Sequence, residues 1–460
     1  MHYEKFADGN AKCIEDEIPF ELPEGWEWCR LINICSKLID GDHNPPKGED
    51  TVTQYLMLSS TNINNDTLVE LEKVRYLSKD IFDKENQRTD VNIGDIFFTS
   101  VGSIGRSCVY TGGFNICFQR SVSVIRTFIL NEYLKRYLDA PFIQNKIARE
   151  ATGTAQKGFY LNQLSNCLIA VPPINEQQKI ANAVNKLMEY IVSIETDKTT
   201  LQDLIKQTKF KILDLAIRGK LVPQDPNDEP ASVLLERIST EKEELIKQGK
   251  IKRDKKESVI FKGEDNSYYE KVGSEVRCID EELPFEIPDN WEWVRLGSLF
   301  SHNTGKALNS KSQVGSPYKY ITTSNLYWNR FELGNLKQML FSESELEKCT
   351  VRKGDLLVCE GGDIGRSAIW NYDEEIRIQN HIHRLRPYTD LNVNFYYYTM
   401  YLYKVTDRIN GKGIGIQGLS SNQLHTLPLP LPPLSEQQRI TAKIKALFDI
   451  LDSIENALIE

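Results

Sequence analysis

The feature that most constrains this chain is one long-range internal repeat. Residues 17–31 read EIPFELPEGWEWCRL, and residues 282–296 read ELPFEIPDNWEWVRL. The run PPINEQQKI at 172–180 likewise recurs as PPLSEQQRI at 432–440. Solenoid repeats have periods of roughly 20–50 residues. A spacing this long therefore indicates two whole domains of one design, each followed by the same kind of helix.

The patterns between the two copies predict the domain organisation. Each copy mixes short apolar runs with Gly, Asn and Ser, which is typical of strands separated by turns, and carries helical stretches such as 131–150 and 393–409. We predict an α+β fold class: two similar domains in a pseudo-two-fold internal repeat, separated by long antiparallel coiled-coil helices. The predicted segments are 1–173 (first domain with an acidic leader), 174–218 (long spacer helix), 219–262 (connector and charged helix, with a loose linker from 257), 263–433 (second domain with an acidic leader) and 434–460 (second, shorter spacer helix).

The two spacer helices carry an apolar seam. Apolar residues from Ile180 to Leu215 are spaced alternately four and three apart, and the same spacing runs from Ile440 to Leu458. A heptad seam is buried only if another helix faces it. We therefore predict antiparallel pairing within one chain, over solvated helices or a coil between chains. The spacing also predicts Asn175 and Ser435 as N-caps and Gly219 as the C-cap of the first helix.

Charge and composition limit the classes of function. The net charge is −9, but residues 1–25 carry 7 acidic and 2 basic groups and residues 263–289 carry 9 and 2. The acidity is therefore concentrated in the two leaders, and the charge permits duplex binding without demonstrating it. The sequence contains no run of about 18 apolar residues, so no membrane span is predicted. Nine scattered cysteines with no C-x-x-C pair suggest reduced thiols in the cytoplasm.

Three motifs together identify a family. These are the W-E-W openings, the two P-P-[IL]-x-E-Q-Q-x-I helix starts and the run RGKLVPQDPNDEPAS at 218–232. They resemble the specificity (S) subunit of Type I restriction–modification enzymes, the HsdS-like family, over nearly the whole chain. The departure is the short second helix, which has no counterpart of residues 201–230.

The resemblance implies a function and a set of partners. It implies two target-recognition domains that each read one half of a bipartite double-stranded DNA sequence, with the helices as a ruler between them. It further implies two DNA methyltransferase (M) subunits docked on the helical regions, restriction/motor (R) subunits for cleavage, and a bacterial or archaeal cytoplasmic location. The chain itself is then non-catalytic and binds no cofactor, since S-adenosylmethionine, ATP and Mg are used by other subunits.

Paired loops supply the candidate contact residues. Stiff Gly/Pro turns present polar side chains at little entropic cost. Lys and Arg suit phosphates, and Gln can read adenine. Ordinary surface turns, internal ion pairs and hinges remain alternatives for these loops. The candidate DNA contacts are Asp42, His43, Asn44, Lys47, Arg106, Gln156, Lys157, Lys306, Asn309, Lys311, Arg366, Lys412 and Gln417. The candidate methyltransferase contacts are Gln177, Gln178, Arg218, Lys220, Gln437 and Gln438.

Two rival functions are a stand-alone DNA methyltransferase or nuclease, and a protein-only coiled-coil adaptor. The run HNPPK at 43–47 is similar to the N-P-P-[YF] loop of adenine N6-methyltransferases. That loop needs an aromatic fourth residue to stack on a flipped base, and Lys47 cannot do so. No Walker A motif occurs. His381 and His383 have no neighbouring ligand cluster in sequence, so no metal site is predicted.

Overall fold

The computed structural model describes residues 1–153, 157–253, 257–308, 314–409 and 418–459. The chain divides into two compact units, Met1–Thr196 and Asp197–Glu460. The division falls inside the long helix Ile174–Ile217. Both units combine mainly antiparallel strands with helices, so the predicted α+β class is confirmed. No helix of the described ranges is long and apolar enough to cross a bilayer.

The first unit is built on a four-stranded antiparallel sheet. Its strand order is Ser107–Val109, Ile96–Thr99, Val122–Thr127 and Cys35–Asp40. A second sheet has the order Asn115–Phe118, Tyr55–Leu58 and Arg75–Tyr76, and its first pair is parallel. The remaining strand pairs are Tyr3–Lys5 with Ala11–Cys13, Glu27–Arg30 with Leu168–Val171, and Ile63–Asn64 with Thr67–Leu68. The helices are Lys79–Thr89, Asn131–Asp139, Pro141–Glu150, Leu161–Ser165 and the long helix, with 3-10 turns at Glu15–Glu17, Leu31–Ile34 and Ser60–Asn62.

The second unit repeats this plan. One four-stranded antiparallel sheet has the order Phe300–Thr304, Ile382–Pro387, Leu356–Cys359 and Ser367–Ile369. A second four-stranded sheet is mixed, because its central pair is parallel; its order is Lys337–Phe341, Ser316–Ile321, Ile376–Ile378 and Thr350–Val351. The other strands are Ser258–Lys262, Tyr268–Val272 and Glu275–Cys278 in one sheet, Glu292–Arg295 with Pro428–Leu431, and Leu326–Tyr327 with Arg330–Phe331. The helices are Ala231–Lys247, Leu296–Leu299, Glu343–Cys349, Val393–Val405, Ser421–His425 and Leu434–Ala457, with 3-10 turns at Asp280–Glu282 and Thr323–Asn325.

The predicted helical stretches and linker show three local differences. The stretch 393–409 is helical only over Val393–Val405. The helical stretch 131–150 is two helices, because Pro141 begins the second one and its ring disfavours helical backbone at Ala140. The stretch from 257, predicted as a loose linker, is wrong: Ser258–Lys262 is a strand of the leader sheet. Its central residue, Ile260, is buried.

Each acidic leader neutralises one nearly buried arginine. In the first unit Arg30 pairs with Glu4 and Glu17, both at 2.7 Å. In the second unit Arg295 pairs with Glu270 and Glu282, both at 2.8 Å. The hydrogen bonds from Arg295 are the leading cause that lowers the pKa of Glu270 to about 2. The leader glutamates therefore stabilise the fold, because a buried arginine must be paired with an opposite charge.

The starts of the spacer helices differ from the predicted caps. The long helix begins at Ile174. The second helix, Leu434–Ala457, has Pro433 at its N-cap and no side-chain cap bond. The proposed capping residues Asn175 and Ser435 thus lie inside the first turns. Proline suits this boundary because it has no backbone N–H to satisfy. At the other end, Gly219 has φ +67° and its N–H bonds to the Ala216 carbonyl, which confirms the C-cap.

Helix pairing is antiparallel within the second unit. Lys209 bonds to Asp452 and Glu455 at 2.6 and 2.8 Å, near the end of the second helix. Residues after the long helix instead contact the beginning of the second: Gln224 donates to Glu436 at 2.6 Å. Between these points Ile212, Leu213, Ala216 and Ile217 share one core cluster with Ile440 and Ile444. The predicted antiparallel coil is confirmed for this part of the seam.

The seam is not buried along its whole predicted length. Leu187, Ile191 and Ile194 are 60%, 49% and 66% exposed, whereas Ile205 and Ile212 are 3% and 8% exposed. The seam of the long helix is therefore buried at Ile205 and Ile212 in the second unit and exposed in the first. Within the described residues, no helix covers that stretch.

Candidate nucleic-acid interface

In both units, one candidate loop leaves the sheet at a position that only glycine can occupy. A Cβ at Gly41 would overlap the carbonyl oxygens of Phe118 and Gln119. A Cβ at Gly305 would overlap those of Ile378 and Gln379 in the same way. The loop backbone therefore lies against the neighbouring strand, and the side chains that follow are directed from a fixed base.

A three-residue turn ties several loops of the first unit into one edge, which we call the first loop edge. The turn is Gln119–Ser121. The Arg120 N–H donates to the Asp42 carbonyl at 2.8 Å, and the Ser100 N–H donates to the Ser121 carbonyl at 2.9 Å. The Ser60 N–H reaches the Ser121 hydroxyl at 3.1 Å. Phe159 N–H in turn donates to the Ser100 carbonyl at 2.8 Å, so four separate loops meet here.

The first loop edge carries exposed polar and basic side chains. His43, Asn44, Lys47 and Lys157 are all exposed. Asp42 is half-buried, and its carboxylate accepts from the Asn44 N–H at 3.1 Å, which shapes the turn. These five candidate residues are therefore brought to one edge, with Arg75 supporting the loop through the Pro46 carbonyl at 2.8 Å.

Arg106 and Arg120 add to this surface. Arg106 is exposed, and its guanidinium bonds to no described residue. Its backbone closes the turn by donating to the Thr99 hydroxyl at 2.9 Å. Arg120 is exposed and lies 5.7 Å from the centre of the Tyr160 ring. An arginine that lies over an aromatic ring is pre-ordered for a phosphate or a base.

The equivalent loop edge of the second unit is formed by the same backbone bonds. Its turn is Gln379–His381: the Asn380 N–H donates to the Lys306 carbonyl at 3.0 Å, and the Glu360 N–H donates to the His381 carbonyl at 2.9 Å. His381 is exposed beside Glu360, with 3.6 Å between ring nitrogen and carboxylate. The scaffold is repeated while the side chains on it differ.

Two predicted contacts in the second unit face inward. Lys306 is 9% exposed, bonds to Glu345 and the Leu340 carbonyl, both at 2.7 Å, and lies over Phe341. Its hydrogen bond is the main reason that the pKa of Glu345 is lowered to about 2. Arg366 is 18% exposed, lies 5.1 Å from the Tyr327 ring centre and donates to the Thr323 carbonyl at 2.7 Å. Both are engaged within the unit, so we remove them from the candidate DNA contacts.

Five other predicted contacts cannot be placed. Gln156, Asn309, Lys311, Lys412 and Gln417 lie outside the described residues. The described ends of their loops are held: in the first unit Thr152 and Gly158 exchange both backbone bonds, at 2.9 and 2.8 Å. The prediction for these five stays a prediction.

A chain of three histidines supports the loop edge of the second unit. His302 lies 2.9 Å from His425 and 2.8 Å from His383, whose other ring nitrogen meets the Leu419 carbonyl at 2.8 Å. Burial, followed by the charges of the neighbouring histidines, lowers the pKa of His302 to about 3. The three rings therefore form a hydrogen-bonded chain that ends on the Leu419 carbonyl, next to one of the candidate loops.

The predicted methyltransferase contacts divide into buried and exposed residues. Gln177 and Gln437 are 3% and 0% exposed. The Gln437 amide accepts from the Asn392 N–H at 3.1 Å and donates to the Pro432 carbonyl at 2.9 Å. Gln177 makes the same two bonds, to Leu130 and Pro172. Each of these glutamines bonds the start of a spacer helix to its own domain. Its side-chain oxygen and nitrogen are both engaged there and are not exposed to a partner subunit.

The other four predicted contacts are more accessible. Gln178, Gln438 and Lys220 are exposed. Arg218 is partly engaged, since it bonds to Asp214 at 2.6 Å and its guanidinium lies 4.9 Å from the Phe285 ring centre. These residues stay candidates.

Sequence reasoning missed the turns at Gln119–Ser121 and Gln379–His381, and with them Arg120. A signal was present, because the glutamine recurs between apolar residues in FQRSV and IQNHI. The runs LSSTN and ITTSN also recur. Each forms a 3-10 turn with a capping box beside the loop edge.

Comparisons with known proteins agree with the internal repeat. The model of the family "Type I restriction modification DNA specificity domain" matches residues 23–203 and 288–460. The chain is 27% identical to the Type I restriction enzyme EcoAI specificity subunit of Escherichia coli, over 96% of this chain and 80% of that protein. It is 25% identical to the EcoEI specificity subunit of Escherichia coli, over 96% and 81%.

A solved structure shows a similar fold. The HsdS subunit from Thermoanaerobacter tengcongensis superposes with a TM-score of 0.56 at 17% identity, covering 96% of this chain and 94% of that chain.

Proposed function

The chain belongs to the Type I restriction–modification DNA specificity domain family, and on that premise we propose that it reads a two-part DNA sequence with one loop edge per unit. It is a specificity subunit, non-catalytic by itself. The proposal concerns how the chain recognises DNA and with which partners it acts.

One observation carries the proposal: both units build the same loop edge on the same backbone bonds but present different side chains there. Asp42 in the first unit occupies the place of the inward-facing Lys306 in the second, and Arg120 the place of Asn380. Phosphate contacts position a protein, and contacts to base edges specify sequence. A repeated scaffold with different side chains is therefore suited to two different half-sites.

The proposed partners follow the family. We propose two methyltransferase (M) subunits, bound through the helical regions and including Gln178, Gln438 and Lys220, and restriction/motor (R) subunits for cleavage. S-adenosylmethionine, ATP and Mg would then be used by those subunits, in the cytoplasm of a bacterium or archaeon. We propose residues 1–173 and 263–433 as the two recognition domains, with the leader of the second extended back to Ser258.

The test is DNA binding by the complex reconstituted with its methyltransferase subunit, measured by anisotropy against salt on fragments that carry the methylated site. Lys157→Ala is expected to flatten the slope of log K against log salt by about 0.9, the value for one phosphate contact. Lys5→Ala is the matched control, because Lys5 is exposed in the leader hairpin away from the loop edge.

An unchanged slope for Lys157→Ala and Arg120→Ala alike would contradict the assigned surface. Assembly with the methyltransferase subunit but no specific DNA binding would favour the protein-only adaptor.

A further inference from the structure

A short hairpin beside the loop edge of the second unit carries an arginine that is not among the candidate DNA contacts. The hairpin pairs Leu326–Tyr327 with Arg330–Phe331, and it follows the 3-10 turn Thr323–Asn325. The strand before that turn ends at the loop edge, where the Gln379 N–H donates to the Ile321 carbonyl at 3.1 Å. The hairpin therefore leads directly out of the loop edge.

Packing fixes the position of this hairpin. The Asn329 N–H donates to the Ser367 carbonyl at 3.2 Å, and Asn329 has the positive φ, +54°, of a tight turn. Trp328 packs on the helix Val393–Val405, with 4.9 Å between the ring centres of Trp328 and Tyr401. The hairpin is thus tied both to a strand and to a helix, so its side chains project from a fixed base.

The ring of Tyr327 contacts two arginines. The Arg330 guanidinium lies 4.8 Å from the Tyr327 ring centre, and the Arg366 guanidinium lies 5.1 Å from it. Arg366 is 18% exposed and donates to the Thr323 carbonyl at 2.7 Å, whereas Arg330 is 66% exposed. Arg366 is therefore the anchored arginine of the two, and Arg330 is the accessible one.

Nearby carboxylates do not fully neutralise this pair. Glu332 lies 3.5 Å from Arg330. Asp363 lies 4.0 Å from Arg366, and it also lies 3.6 Å from Lys404. Among the described residues, two carboxylates thus face three cations. The Arg330–Glu332 pair is exposed, and exposed ion pairs are weak, so Arg330 can exchange this partner for another anion.

The equivalent place in the first unit also has an exposed arginine. The anchored arginine of the second unit has its equivalent in Arg106, which is exposed. Asn64 and Thr67 pair across the first unit's hairpin where Tyr327 and Arg330 pair in the second. Neither Asn64 nor Thr67 has a ring or a charge. The exposed arginine is therefore Arg106 in the first unit and Arg330 in the second.

We propose that Arg330 binds a backbone phosphate of DNA at the loop edge of the second unit, and that Tyr327 and Arg366 position it. The inference rests on the proposed function, because it requires this edge to meet a duplex. Arg330 is accessible and restrained by the ring, and the charge of Arg366 attracts an anion to the same place. An arginine that is ordered in advance loses less side-chain entropy when it binds. Arg330 thus supplies the phosphate contact that the inward-facing Lys306 does not.

The test uses the complex reconstituted with its methyltransferase subunit. Anisotropy is measured against salt on a fragment that carries the methylated site and on one of equal length without it. Arg330→Ala should flatten the slope of log K against log salt by about 0.9 on both fragments. Its affinity should then fall about 3.5-fold less than that of the unaltered chain between about 50 and 200 mM salt.

Arg352→Ala is the matched control. Arg352 is 63% exposed and pairs with Glu375 at 2.9 Å, much as Arg330 pairs with Glu332. It lies before the strand Leu356–Cys359, at the end opposite to the loop edge. Arg352→Ala should therefore leave the salt slope unchanged.

Variants of two neighbouring residues test how Arg330 is positioned. Tyr327→Leu keeps both arginines, so the slope should stay the same while binding weakens about two- to fivefold, the value of one cation–π contact. Tyr327→Phe keeps the ring and should restore the unaltered affinity. Glu332→Gln removes the competing carboxylate and should tighten binding about twofold. Glu375→Gln removes the same charge beside Arg352 and should not. Urea unfolding checks that each variant folds.

Two results would overturn the proposed contact. One is a slope for Arg330→Ala equal to that of Arg352→Ala while the complex still binds its site. The other is lost discrimination at one base pair with an unchanged slope, because Arg330 would then read a base. Equal affinities for Tyr327→Leu and Tyr327→Phe would overturn the positioning role. Absence of specific binding by the unaltered complex would instead contradict the proposed function itself.

Discussion

The two adjacent glutamines of the second helix start should differ sharply in what they contribute to stability. Gln437 is fully buried and satisfies the Asn392 N–H and the Pro432 carbonyl, whereas Gln438 is exposed. Gln437→Ala leaves both backbone groups without that partner. An unsatisfied buried polar group costs about 1–3 kcal/mol. Asn392 is only half-buried, so water can partly satisfy its N–H. We therefore expect Gln437→Ala to lower the free energy of unfolding by about 2 kcal/mol for the two backbone groups together.

The assay is urea unfolding followed by tryptophan fluorescence. Tryptophans 291, 293, 328 and 370 lie in the second unit, so its transition dominates the signal. With an m-value of about 3 kcal/mol/M, a loss of 2 kcal/mol lowers the urea midpoint by roughly 0.7 M. Gln438→Ala should stay within about 0.2 M, as surface substitutions do.

Equal shifts for the two alanine variants would refute the reasoning. So would a Gln437→Ala chain that keeps its stability but no longer assembles with the methyltransferase subunit, because that glutamine would then face a partner. Gln177→Ala and Gln178→Ala repeat the comparison in the first unit, where the buried glutamine makes the same two bonds; circular dichroism is the readout there, because the second unit dominates the tryptophan signal.

Two further predictions concern the second unit. The pKa of histidine is about 6.5 in an unfolded chain, whereas the pKa of native His302 is lowered to about 3. Between these values the unfolded chain binds a proton that the native chain lacks, so the free energy of unfolding falls as the pH falls, by about 2 kcal/mol for His302 from pH 7 to 5. Urea midpoints at the two pH values should show this loss and His302→Asn should reduce it; a loss of equal size in that variant would contradict the histidine chain as its cause. Lys306→Ala should cost about 2 kcal/mol, since it removes a nearly buried lysine from its bonds to Glu345 and to the Leu340 carbonyl, and it should leave the salt slope of DNA binding unchanged. Lys47 is exposed, so Lys47→Ala should flatten the slope and leave stability nearly unchanged. A flattened slope for Lys306→Ala would restore that lysine to the DNA contacts.

The sequence predicted the elements whose pattern is local and regular. The two spacer helices follow from apolar periodicity, and strands such as Ile96–Thr99 and Leu356–Cys359 agree with the short apolar runs between turn residues. Each segment expresses these patterns by itself. The C-cap at Gly219 likewise follows from one residue type in one backbone conformation.

The candidate contacts were harder to predict because residues far away in sequence decide whether each side chain is exposed or bonded within the unit. Lys306 looked like a phosphate contact, but its partner Glu345 comes from a separate helix and draws it inward. Gln177 and Gln437 looked like a surface motif, because nothing local shows that a distant loop needs their amides. Arg120 was missed for the opposite reason: a single arginine after a strand has no local pattern, and only the bonds from Asp42 and Ser100 place its turn among the loops.

The repeated bonds explain how one fold can present two different surfaces. The side chains common to both units, such as Gln177 and Gln437 or Arg30 and Arg295, are buried and hold backbone groups or leaders in place. The side chains at the loop edges carry none of the main core packing. Exchanging them therefore changes what the edge can contact at little cost in folding free energy, because surface substitutions away from such bonds usually stay within ±0.5 kcal/mol. Lys306 marks the limit of this freedom, because a loop side chain that is drawn inward has its identity tied to stability. Under the proposed function, the reading of sequence would then fall to its exposed neighbours.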